Sequence, residues 1–521
     1  MVLAFVRGAG DTWWVQGRGD PNVELLDAAA LCGHLVPAGS VPAFLAEHRK
    51  SLFPDELFED LFPSGRGRPS VPADVIATVM VLQALEGLSD RDAVQAIRRD
   101  IAWKVAAGLS LTDEAFHPTV LTLWRNKLRA SDRPERIFDA VRAVIDATGV
   151  IKGKTRRVLD STVLDDAVTT QDAVMQLVSS IRRVRRLVPE AKALTLAAHD
   201  YDNDPGKPAC AWDDPEGLDL LVTALVTDAL AVLDAVAELE LDAAQSDAVG
   251  LLALIAGQDV EPGEDDGSWR IMRGTRPGRV VSTVDPESRH VHKSRSVYRD
   301  GYKAHIAVEP DTGLVTDCAL TPGDVTDGAA GVALLQDEEP GLEIYGDSAY
   351  GSGQTRVEIR RRGHDPIIKP MPLHHPIVGG FTRDDFVVDH LARTITCPAG
   401  HTATINPSGS VRFGALCSTC PLRSRCTTAK DGRKLTISAH DDELVFARNA
   451  WRDPIVLEHY RQHRPMVERT IAWLVTRGHR KVRYRGVERN QQWLATRLAA
   501  LNLRRLVNLG LGRDELGWVI G

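Results

Sequence analysis

The chain has 521 residues, of which 43% are hydrophobic and 26% are charged, and its formal net charge is −8. This composition is typical of a folded globular protein and excludes the disordered and fibrous classes. At about 150 residues per domain, the length predicts three to four domains. The net acidity, taken alone, argues against a nucleic-acid-binding protein, because such proteins usually carry a basic surface.

The sequence predicts neither secretion nor membrane insertion. The N-terminus lacks a basic region followed by a long apolar core, which a signal peptide needs. No run of about 18 uncharged apolar residues predicts a membrane span. The seven cysteines are too few for a disulfide scaffold. We therefore expect a cytoplasmic protein with no membrane partner.

Residues 41–150 are predicted to be helical. An apolar run at helical spacing covers 71–85, and Ser89 fits a capping box ahead of a second helix at 93–107. A third helix begins near Pro118. Its basic residues are Arg125, Lys127 and Arg129. The pattern is typical of a helix-turn-helix DNA-binding unit, but a small helical bundle with a solvated charged face explains it equally well.

Strands and helices alternate in the rest of the chain. The predicted strands are one ending in Asp160, three at 279–285, 302–310 and 313–323, one ending in Asp347, and one at 365–370. The helices are predicted at 167–187, 218–256, 327–338, 353–363, 441–476 and 487–509. The turn at 311–313 predicts a hairpin. This order favours an α/β or α+β core with inserted modules.

Two aspartates, Asp160 and Asp347, stand at the predicted ends of core strands. A carboxylate there is costly to desolvate unless it is paired or binds a metal, although a strand-end aspartate often only caps the next turn. Glu468, in the first turn of a helix opened by Pro465, is the best candidate for a third metal-binding acid. Its simpler role is a favourable interaction between its negative charge and the helix dipole. Three converging carboxylates would hold two Mg²⁺ ions about 3.5–4 Å apart for phosphodiester chemistry.

The motifs around these acids resemble the DDE-type insertion-sequence transposases, which have a ribonuclease H-like catalytic domain. They are LDSTV at 159–163, DGYKAHIAVEPDTGLVTDCALTPGDVTDG at 300–328, YGDSAYG at 345–351, RPMVERTIAWL at 464–474, GHRKVRYRG at 478–486 and NQQWLATRLAALNLRRL at 490–506. The resemblance covers roughly residues 45–510. It implies a catalytic triad of Asp160, Asp347 and Glu468 that binds two Mg²⁺ or Mn²⁺ ions.

The helix of the third acid departs from the pattern of many related transposases, which carry a Tyr, an Arg, the Glu and a Lys along it. Here Arg464 matches the Arg, Tyr460 is one place off, and Val475 occupies the Lys position. The resemblance therefore supports a role for Arg464 in gripping a phosphate or a flipped base less directly than it supports the triad. Asp165 and Asp166 are interpreted as solvated turn residues.

Four of the seven cysteines fall within residues 397–426. They are Cys397, Cys417, Cys420 and Cys426, with His401 as a spare ligand. A Cys-x₂-Cys knuckle with one cysteine on either side offers four soft ligands for a structural Zn²⁺. Reduced thiols without a metal are the alternative.

The charge is unevenly distributed. Residues 199–266 contain eighteen acids and one lysine, so the rest of the chain carries a net charge of +9. Residues 461–485 contain eight Lys/Arg and one acid, and residues 269–305 contain nine Lys/Arg and three acids. The residues predicted to contact DNA are Arg464, Arg480, Lys481, Arg483, Arg485, Lys293, Arg295 and Lys303. Basic side chains in these segments can neutralise DNA phosphates. The net charge of the whole chain argues against nucleic-acid binding, but the distribution of charge along the chain argues for it.

These observations predict an α/β fold: a ribonuclease H-like mixed sheet flanked by helices, with three added modules. The predicted regions are an N-terminal helical DNA-binding domain (1–150), the catalytic core (151–166 and 267–374), a helical acidic insertion (167–266), a Cys-rich zinc-knuckle insertion (375–440) and the C-terminal part of the core (441–521). The acidic insertion could be a solvated lid, a partner surface or a mimic of DNA.

The predicted function is a DNA transposase that binds terminal inverted repeats and catalyses metal-dependent cleavage and strand transfer. Its partners would be double-stranded DNA, at the repeats and at the target, and further copies of itself in a dimer or larger oligomer. We expect it at the bacterial nucleoid. The alternatives are a domesticated relative that only binds DNA, and a ribonuclease H-like nuclease without strand transfer.

Overall fold

A computed structural model describes residues 14–17, 25–63, 67–210, 212–274, 276–294 and 297–521. Most of the N-terminal segment in which we predicted no signal peptide lies outside the described residues. Arg295 and the side chain of Lys293, both predicted to contact DNA, also lie outside them. Within the described ranges, no helix is long and apolar enough to cross a membrane.

The described part of the N-terminal region is mainly helical. Its elements are β1 (Trp14–Val15), α1 (Ala28–Cys32), α2 (Val41–Leu52), β2 (Arg68–Pro69), α3 (Ala73–Glu86), α4 (Asp90–Arg99), α5 (Ile101–Ala107), α6 (Thr119–Arg129) and α7 (Arg136–Thr148), with 3₁₀ turns at Gly33–Leu35 and Asp55–Leu61. Every residue of α3 from Ala73 to Ala84 is buried. A helix that is apolar on all sides belongs inside a protein, so α3 is the centre of this region.

The structure confirms the helix predicted at 71–85 and divides the one predicted at 93–107. α3 ends at Gly87, whose φ of +72° is a conformation that favours glycine. The division between α4 and α5 falls at Asp100, because its carboxylate accepts hydrogen bonds from two backbone N–H groups of the next turn. Asp100 thereby caps α5 and fixes a change of direction that periodicity alone does not reveal.

A helical module follows strand β3 (Arg156–Asp165). Its elements are α8 (Ala173–Leu187), α9 (Pro189–Ala193), α10 (Pro215–Val236), α11 (Ala243–Gln258), β4 (Val260–Pro262) and β5 (Trp269–Ile271). The predicted apolar stripe of α8 is buried against α10 and α11. These helices form a hydrophobic cluster of their own, so the acidic segment is a folded module and not a loose loop.

Six strands form the mixed sheet. With β3 they are β6 (Arg289–Ser294), β7 (Val297–Val308), β8 (Val315–Pro322), β9 (Glu343–Gly346) and β10 (Asp365–Ile368). The order is β10-β9-β3-β7-β6, and β8 also pairs with β7. Neighbours β3, β7 and β8 are antiparallel, whereas β3, β9 and β10 are parallel. The predicted mixed α/β class is therefore confirmed.

The sheet differs in part from the predicted strands. The hairpin at 311–313 is confirmed between β7 and β8. The strand predicted at 279–285 does not form, since within that range only Val280 makes an isolated bridge. Two helices accompany the sheet, α12 (Asp327–Ala333), which is shorter than predicted, and α13 (Gly353–Arg361). A 3₁₀ turn at Ser348–Tyr350 follows β9.

The cysteine-rich segment is a small β module. It contains a 3₁₀ turn at Arg383–Asp385, β11 (Val387–Asp389), β12 (Thr394–Thr396), β13 (Thr402–Thr404), β14 (Ser410–Arg412), a 3₁₀ turn at Gly414–Cys417, α14 (Arg423–Cys426) and β15 (Lys434–Thr436). β11, β12 and β13 form one antiparallel sheet, and β14 and β15 form another. Phe386, Ile395 and Phe413 contribute to its own apolar cluster.

The C-terminal part joins the sheet to the N-terminal helices. Its elements are α15 (Asp441–Ala450), α16 (Pro454–His463), α17 (Pro465–Leu474), α18 (Val487–Asn508), β16 (Leu511–Arg513) and β17 (Trp518–Ile520). α18 packs on α3, α7 and β8. One hydrophobic cluster consequently runs from the N-terminal helices through α18 to the antiparallel strands. The predicted boundary at 150 divides the chain but does not divide this core.

Candidate active site

Asp160 lies on β3, and Asp347 directly follows the neighbouring parallel strand β9. The register between β3 and β9 ends with Val158 opposite Tyr345. Continued by two residues, the register brings Asp160 level with Asp347, just after β9 ends. Burial raises the pKa of Asp160 above its ordinary value, and the negative charge of Asp347 adds to this effect. The two carboxylates are therefore close enough to interact.

Asp160 does not end its strand, so that prediction is wrong. β3 continues to Asp165, because β7 pairs with it from Val158 opposite Val308 to Asp165 opposite Gly301. The pairing with β9 stops earlier. Asp160 thus sits in mid-strand, at the step where one neighbouring strand has ended and the other continues. Such a step leaves a side chain rigidly held yet accessible from one side.

Arg464 is the counter-ion of Asp160. Arg464 Nη2 lies 2.9 Å from Asp160 Oδ2, and Asp160 Oδ1 accepts a hydrogen bond of 2.8 Å from the Ser161 backbone N–H. Burial raises the Asp160 pKa, while the Arg464 charge opposes the rise. Arg464 Nη1 is buried and has no hydrogen-bond partner among the described residues. The guanidinium therefore keeps one donor for a further ligand.

The position of Arg464 explains why the shifted Tyr460 still belongs to this cluster. Arg464 joins α16 to α17, and its backbone N–H bonds to the Tyr460 carbonyl. Positions three and four residues apart share one face of a helix, so a shift of one place keeps Tyr460 beside Arg464. Burial raises the pKa of Tyr460, and contact with the Arg464 guanidinium partly offsets that rise.

Asp347 is held by the turn that follows it. Its Oδ1 accepts a hydrogen bond of 2.8 Å from the Ala349 backbone N–H and caps the 3₁₀ turn. Tyr350, at the end of this turn, is buried, and burial raises its pKa well above the ordinary value. The aspartate thus serves as the turn cap that we considered as its simpler role, while it also faces Asp160.

Glu468 is exposed in the first turn of α17. Positions four residues apart on a helix lie about 6 Å apart between Cβ atoms, so Glu468 is one turn beyond Arg464 on the same side. No described hydrogen bond or ion pair joins Glu468 to either aspartate. The structure brings Asp160 and Asp347 together and leaves Glu468 near their counter-ion.

Asp327 is a fourth carboxylate at this site that sequence reasoning missed. Its Oδ1 accepts a 3.0 Å hydrogen bond from the Ser161 hydroxyl and lies 3.3 Å from Lys303 Nζ. His305 packs beneath it, and burial lowers the His305 pKa to about 4. The signal in the sequence was Thr326-Asp327 ahead of a helix, which we interpreted only as a helix start. Lys303, predicted to contact DNA, is instead paired with Asp327.

Asp165 and Asp166 are not solvated turn residues, so that prediction is wrong. Asp165 pairs with Arg299 Nη1 at 2.8 Å, and its backbone N–H and C=O bond to the segment of Arg480 and Val482. Asp166 is only 6% exposed, and burial raises its pKa. Asp165 anchors the basic C-terminal loop to the end of β3.

The basic loop at 478–486 contains predicted DNA contacts in different settings. Arg480 Nη1 lies 3.4 Å from the Thr162 hydroxyl and 3.2 Å from the Val163 carbonyl, close to the aspartates along β3. Lys481 and Arg485 are exposed. Arg483 donates to the Gly87 carbonyl at 3.3 Å, which directs it toward the N-terminal helices.

The basic residues of α6 are used inside the protein. Arg125 makes two hydrogen bonds to Asp90, of 2.7 and 2.8 Å. Lys127 donates to the Leu61 carbonyl at 3.1 Å, and Arg129 lies 3.9 Å from Glu488. These side chains stabilise helix packing. They are therefore not free to read DNA as the helix-turn-helix interpretation requires.

The four clustered cysteines and His401 line one pocket. Cys417 and Cys426 are buried, and the Arg433 backbone N–H donates to Cys417 Sγ at 3.4 Å. Burial raises the pKa of the Cys426 thiol, and the other three thiols add to this rise. Among the described residues, however, the only group with mutual ligand distances within 4.8 Å is His390, Asp441 and Asp442. The ligand atoms of the four cysteines do not lie within this distance of one another, and neither do those of Asp160, Asp347 and Glu468.

Two family models match the chain. The "Transposase DDE domain" matches residues 269–503, and the "Transposase domain (DUF772)" matches residues 34–127. No curated protein and no solved structure matches. The chain belongs to the DDE transposases of insertion sequences. The first match includes Asp347 and Glu468, whereas Asp160 lies between the matches, on a strand that pairs with two strands of the matched domain.

Proposed function

We propose that this chain is an active transposase that binds the terminal inverted repeats of its element, cleaves DNA and joins the freed 3′-hydroxyls to target DNA. The observation that carries the proposal is the convergence of Asp160 and Asp347, with Arg464 as the buried counter-ion. Membership in the DDE transposases supports the reaction class. We further propose that the mixed sheet is a ribonuclease H-like core, since both acids lie where its parallel strands meet.

We propose Asp160, Asp347 and Glu468 as the ligands of two Mg²⁺ or Mn²⁺ ions. The donor set fits, because these ions prefer carboxylate oxygens and keep several waters. By the strand register, Asp160 in β3 is level with Asp347, which directly follows β9, and Glu468 lies in the first turn of α17. When bound, the metals activate the attacking oxygen and stabilise the leaving oxygen of the phosphodiester.

Arg464 would hold the scissile phosphate. Its Nη1 has no partner in the described protein while its Nη2 is bonded to Asp160. A guanidinium can donate to two acceptors in one plane, so it can keep Asp160 in place and bind a phosphate oxygen together. Tyr460 lies one helical turn before Arg464.

The DNA path would follow Arg480, Lys481 and Arg485 away from the site. Arg480 is fixed along β3, and the other two side chains are exposed. Lys303 is left out because Asp327 binds it, while Lys293 and Arg295 remain predictions from sequence. Joining two transposon ends requires two active sites, so we propose a homodimer or larger oligomer, acting at the nucleoid.

The direct test is nicking of duplex DNA that carries a terminal repeat, in the presence of Mg²⁺. We expect Asp347→Asn to lower cleavage more than about 10³-fold and to leave DNA binding intact. The matched control is Asp365→Asn, because Asp365 lies at the opposite end of the parallel strands and is exposed. Cleavage that survives Asp347→Asn would refute the site assignment.

Two alternatives remain separable by experiment. A domesticated DNA-binding relative would bind the repeat without cleaving it in either Mg²⁺ or Mn²⁺. A nuclease would cleave but would fail to join pre-cut ends to a target plasmid. The paired aspartates favour catalysis over binding alone, and joining of pre-cut ends by the wild-type protein would distinguish transposition from hydrolysis.

We propose a structural Zn²⁺ in the cysteine pocket. The four thiols line one cavity, and a backbone N–H donates to Cys417 Sγ, as expected around a thiolate ligand. The purified protein should contain one Zn²⁺ per chain. Cys417→Ser should lower the zinc content, whereas Cys210→Ser, in the acidic module, should not. Equal zinc content in both variants would exclude this site.

A further inference from the structure

A pocket between the two matched domains is lined by cations. It lies between α3, α6, the loop at 478–486 and α18, and is a narrow cavity with a volume of about 30 Å³. Its charged or ionisable lining residues include Arg125, Arg483, Arg497 and His479. None of the described lining residues is a carboxylate. This absence distinguishes the pocket from the active site, where cations and carboxylates are paired.

Arg497 is the most deeply buried of these cations, with 3% of its surface exposed. Its Nη1 and Nη2 each donate to a backbone carbonyl at 3.1 Å, from Ala84 and Leu474. Its Nε has no hydrogen-bond partner among the described residues. The guanidinium also lies 4.8 Å from the centre of the Trp473 ring and 5.7 Å from that of Trp493. The Arg497 guanidinium is therefore surrounded by two carbonyl oxygens and two tryptophan rings. No carboxylate among the described residues bonds to it.

Two of the three neighbouring arginines have no carboxylate partner among the described residues. Arg483 donates to the Gly87 carbonyl, and Arg477 to the Glu86 carbonyl, both at the end of α3. Arg125 is already bonded to Asp90. The carbonyls at the end of a helix carry only partial negative charge. They stabilise the arginines less than a full anion would.

The pKa values express this excess of charge. Burial, together with repulsion from the charges of Arg483 and Arg477, lowers the pKa of Arg497 to about 9. Burial and the same arginines lower the pKa of His479 to about 4. His479 is therefore neutral at pH 7, and its Nε2 is buried without a partner. A buried charge is costly unless it is paired, so an anion bound here would be strongly stabilised.

We propose that this pocket binds a phosphate group through Arg483 and Arg497. Phosphate fits because guanidinium groups recognise its oxygens by pairs of hydrogen bonds. The protein leaves the Arg497 Nε–H donor without an acceptor, and His479 Nε2 is a buried ring nitrogen without a partner among the described residues. The phosphate can come from the DNA backbone or from free phosphate. The first source rests on the proposed function, whereas the second does not.

The pocket's location gives a phosphate there a structural role. Arg125 and Gln83 come from the region that matches the transposase domain DUF772, whereas Arg483 and Arg497 come from the region that matches the transposase DDE domain. A DNA phosphate in the pocket would contact both regions at once. It would extend the DNA path from Arg480 to the end of α3.

The first test measures binding of inorganic phosphate to the full chain, as the rise in melting temperature at constant ionic strength. A ligand that binds only the folded state stabilises it in a saturable way. We expect a saturable rise in the wild type, a loss of this rise in Arg483→Gln, and a wild-type rise in the control Arg489→Gln, an exposed residue of α18. Equal rises in all three proteins would overturn the proposal.

Arg483→Gln has a second expected result that a merely structural arginine would not give. It removes repulsion from Arg497, so without phosphate the variant should melt no lower than the wild type. A lower melting temperature without phosphate, together with an unchanged phosphate response, would mean that Arg483 only supports packing. Arg497→Lys is the second variant, because lysine keeps the positive charge but cannot form the bidentate hydrogen bonds of a guanidinium. It should bind phosphate more weakly than the wild type.

The second test distinguishes the sources of the phosphate. The affinity for duplex DNA is measured against salt concentration, and each lost phosphate contact lowers the slope by about one. A lower slope in Arg483→Gln, with no change in Arg489→Gln, identifies a DNA phosphate. If the salt slope of DNA binding is unchanged in Arg483→Gln, while the wild type still responds to inorganic phosphate, the pocket binds free phosphate. Because neither measurement needs cleavage, failure of the proposed catalysis would leave both results interpretable.

Discussion

The active site and the phosphate pocket treat buried charge in opposite ways. At the active site, Asp160 and Arg464 are both largely buried and lie 2.9 Å apart. In the pocket, Arg497 is equally buried but is bonded only to carbonyls. A paired site is stable without a ligand, because each buried charge already has a partner. An unpaired site is strained without a ligand and gains stability when one arrives.

The largest expected effect comes from breaking the pair at the active site. Arg464→Met leaves the Asp160 carboxylate buried without its counter-ion, which typically lowers the free energy of unfolding by about 3–5 kcal/mol. Urea unfolding of the variant measures this loss. The double variant Arg464→Met/Asp160→Asn should recover most of it, because the neutral amide needs no counter-ion. A double variant as unstable as the single one would contradict the pairing argument.

The pH dependence of this loss has a definite sign. Burial already raises the pKa of Asp160, and removal of Arg464 raises it further. A carboxyl group whose pKa is higher in the folded state stabilises the fold when it is protonated, and this contribution is lost as the pH rises. The penalty of Arg464→Met should therefore be smaller at pH 5 than at pH 8.

An intermediate effect is expected where acids cluster. Burial raises the pKa of Glu135 to about 7, although a hydrogen bond from Gln491 opposes the rise and the charges of Asp139 and Asp317 add to it. The pKa of Asp317 is raised to about 6, mainly by burial. The stability that Glu135 contributes when protonated is lost between about pH 4.5 and 7. This cluster is the acidic counterpart of the phosphate pocket.

Glu135→Gln tests whether the negative charge of Glu135 destabilises the fold. We expect the variant to melt a few degrees above the wild type at pH 8, and the difference to vanish near pH 4.5, where the wild-type carboxyl group is protonated. Calorimetry at several pH values would measure it, with Glu114→Gln, an exposed residue, as the control. A gain that is independent of pH would show that the amide improves packing and that charge is not the cause.

The sequence predicts the elements of this molecule better than their contacts. The strands around Asp160 and Asp347 and the stripe of α8 follow from local patterns, because apolar periodicity is a local property. The ion pair between Asp160 and Arg464 joins residues about 300 positions apart, and no local pattern specifies it. The same holds for Asp327, whose helix-start signal hides its contact with Ser161.

The phosphate pocket illustrates the same limit. The sequence indicates a basic loop, but it does not indicate that Arg483 turns toward the end of α3 while Lys481 faces solvent. The sequence leaves Arg125 open between a helix-turn-helix unit and a solvated charged face, whereas Asp90 binds it internally. A run of basic residues predicts the sign of a surface, and tertiary packing decides which members of the run remain available to a ligand.

The smallest expected effect separates surface charge from buried charge. Lys481 is exposed and has no described ion pair, so Lys481→Gln should change the free energy of unfolding by less than about 0.5 kcal/mol. It should nevertheless lower the salt slope of DNA binding by about one, if Lys481 neutralises a phosphate. Lys50→Gln, exposed at the end of α2, is the matched control and should change neither quantity.

Lys481→Gln and Arg483→Gln should differ in their response to inorganic phosphate. Both variants should lower the salt slope of DNA binding when a backbone phosphate occupies the pocket, but only Arg483→Gln should abolish the response to inorganic phosphate. A solvated lysine attracts DNA without forming a site, because free phosphate gains little from one hydrated charge. A response to inorganic phosphate that Lys481→Gln also abolished would show that the anion binds the loop surface and not the buried arginines.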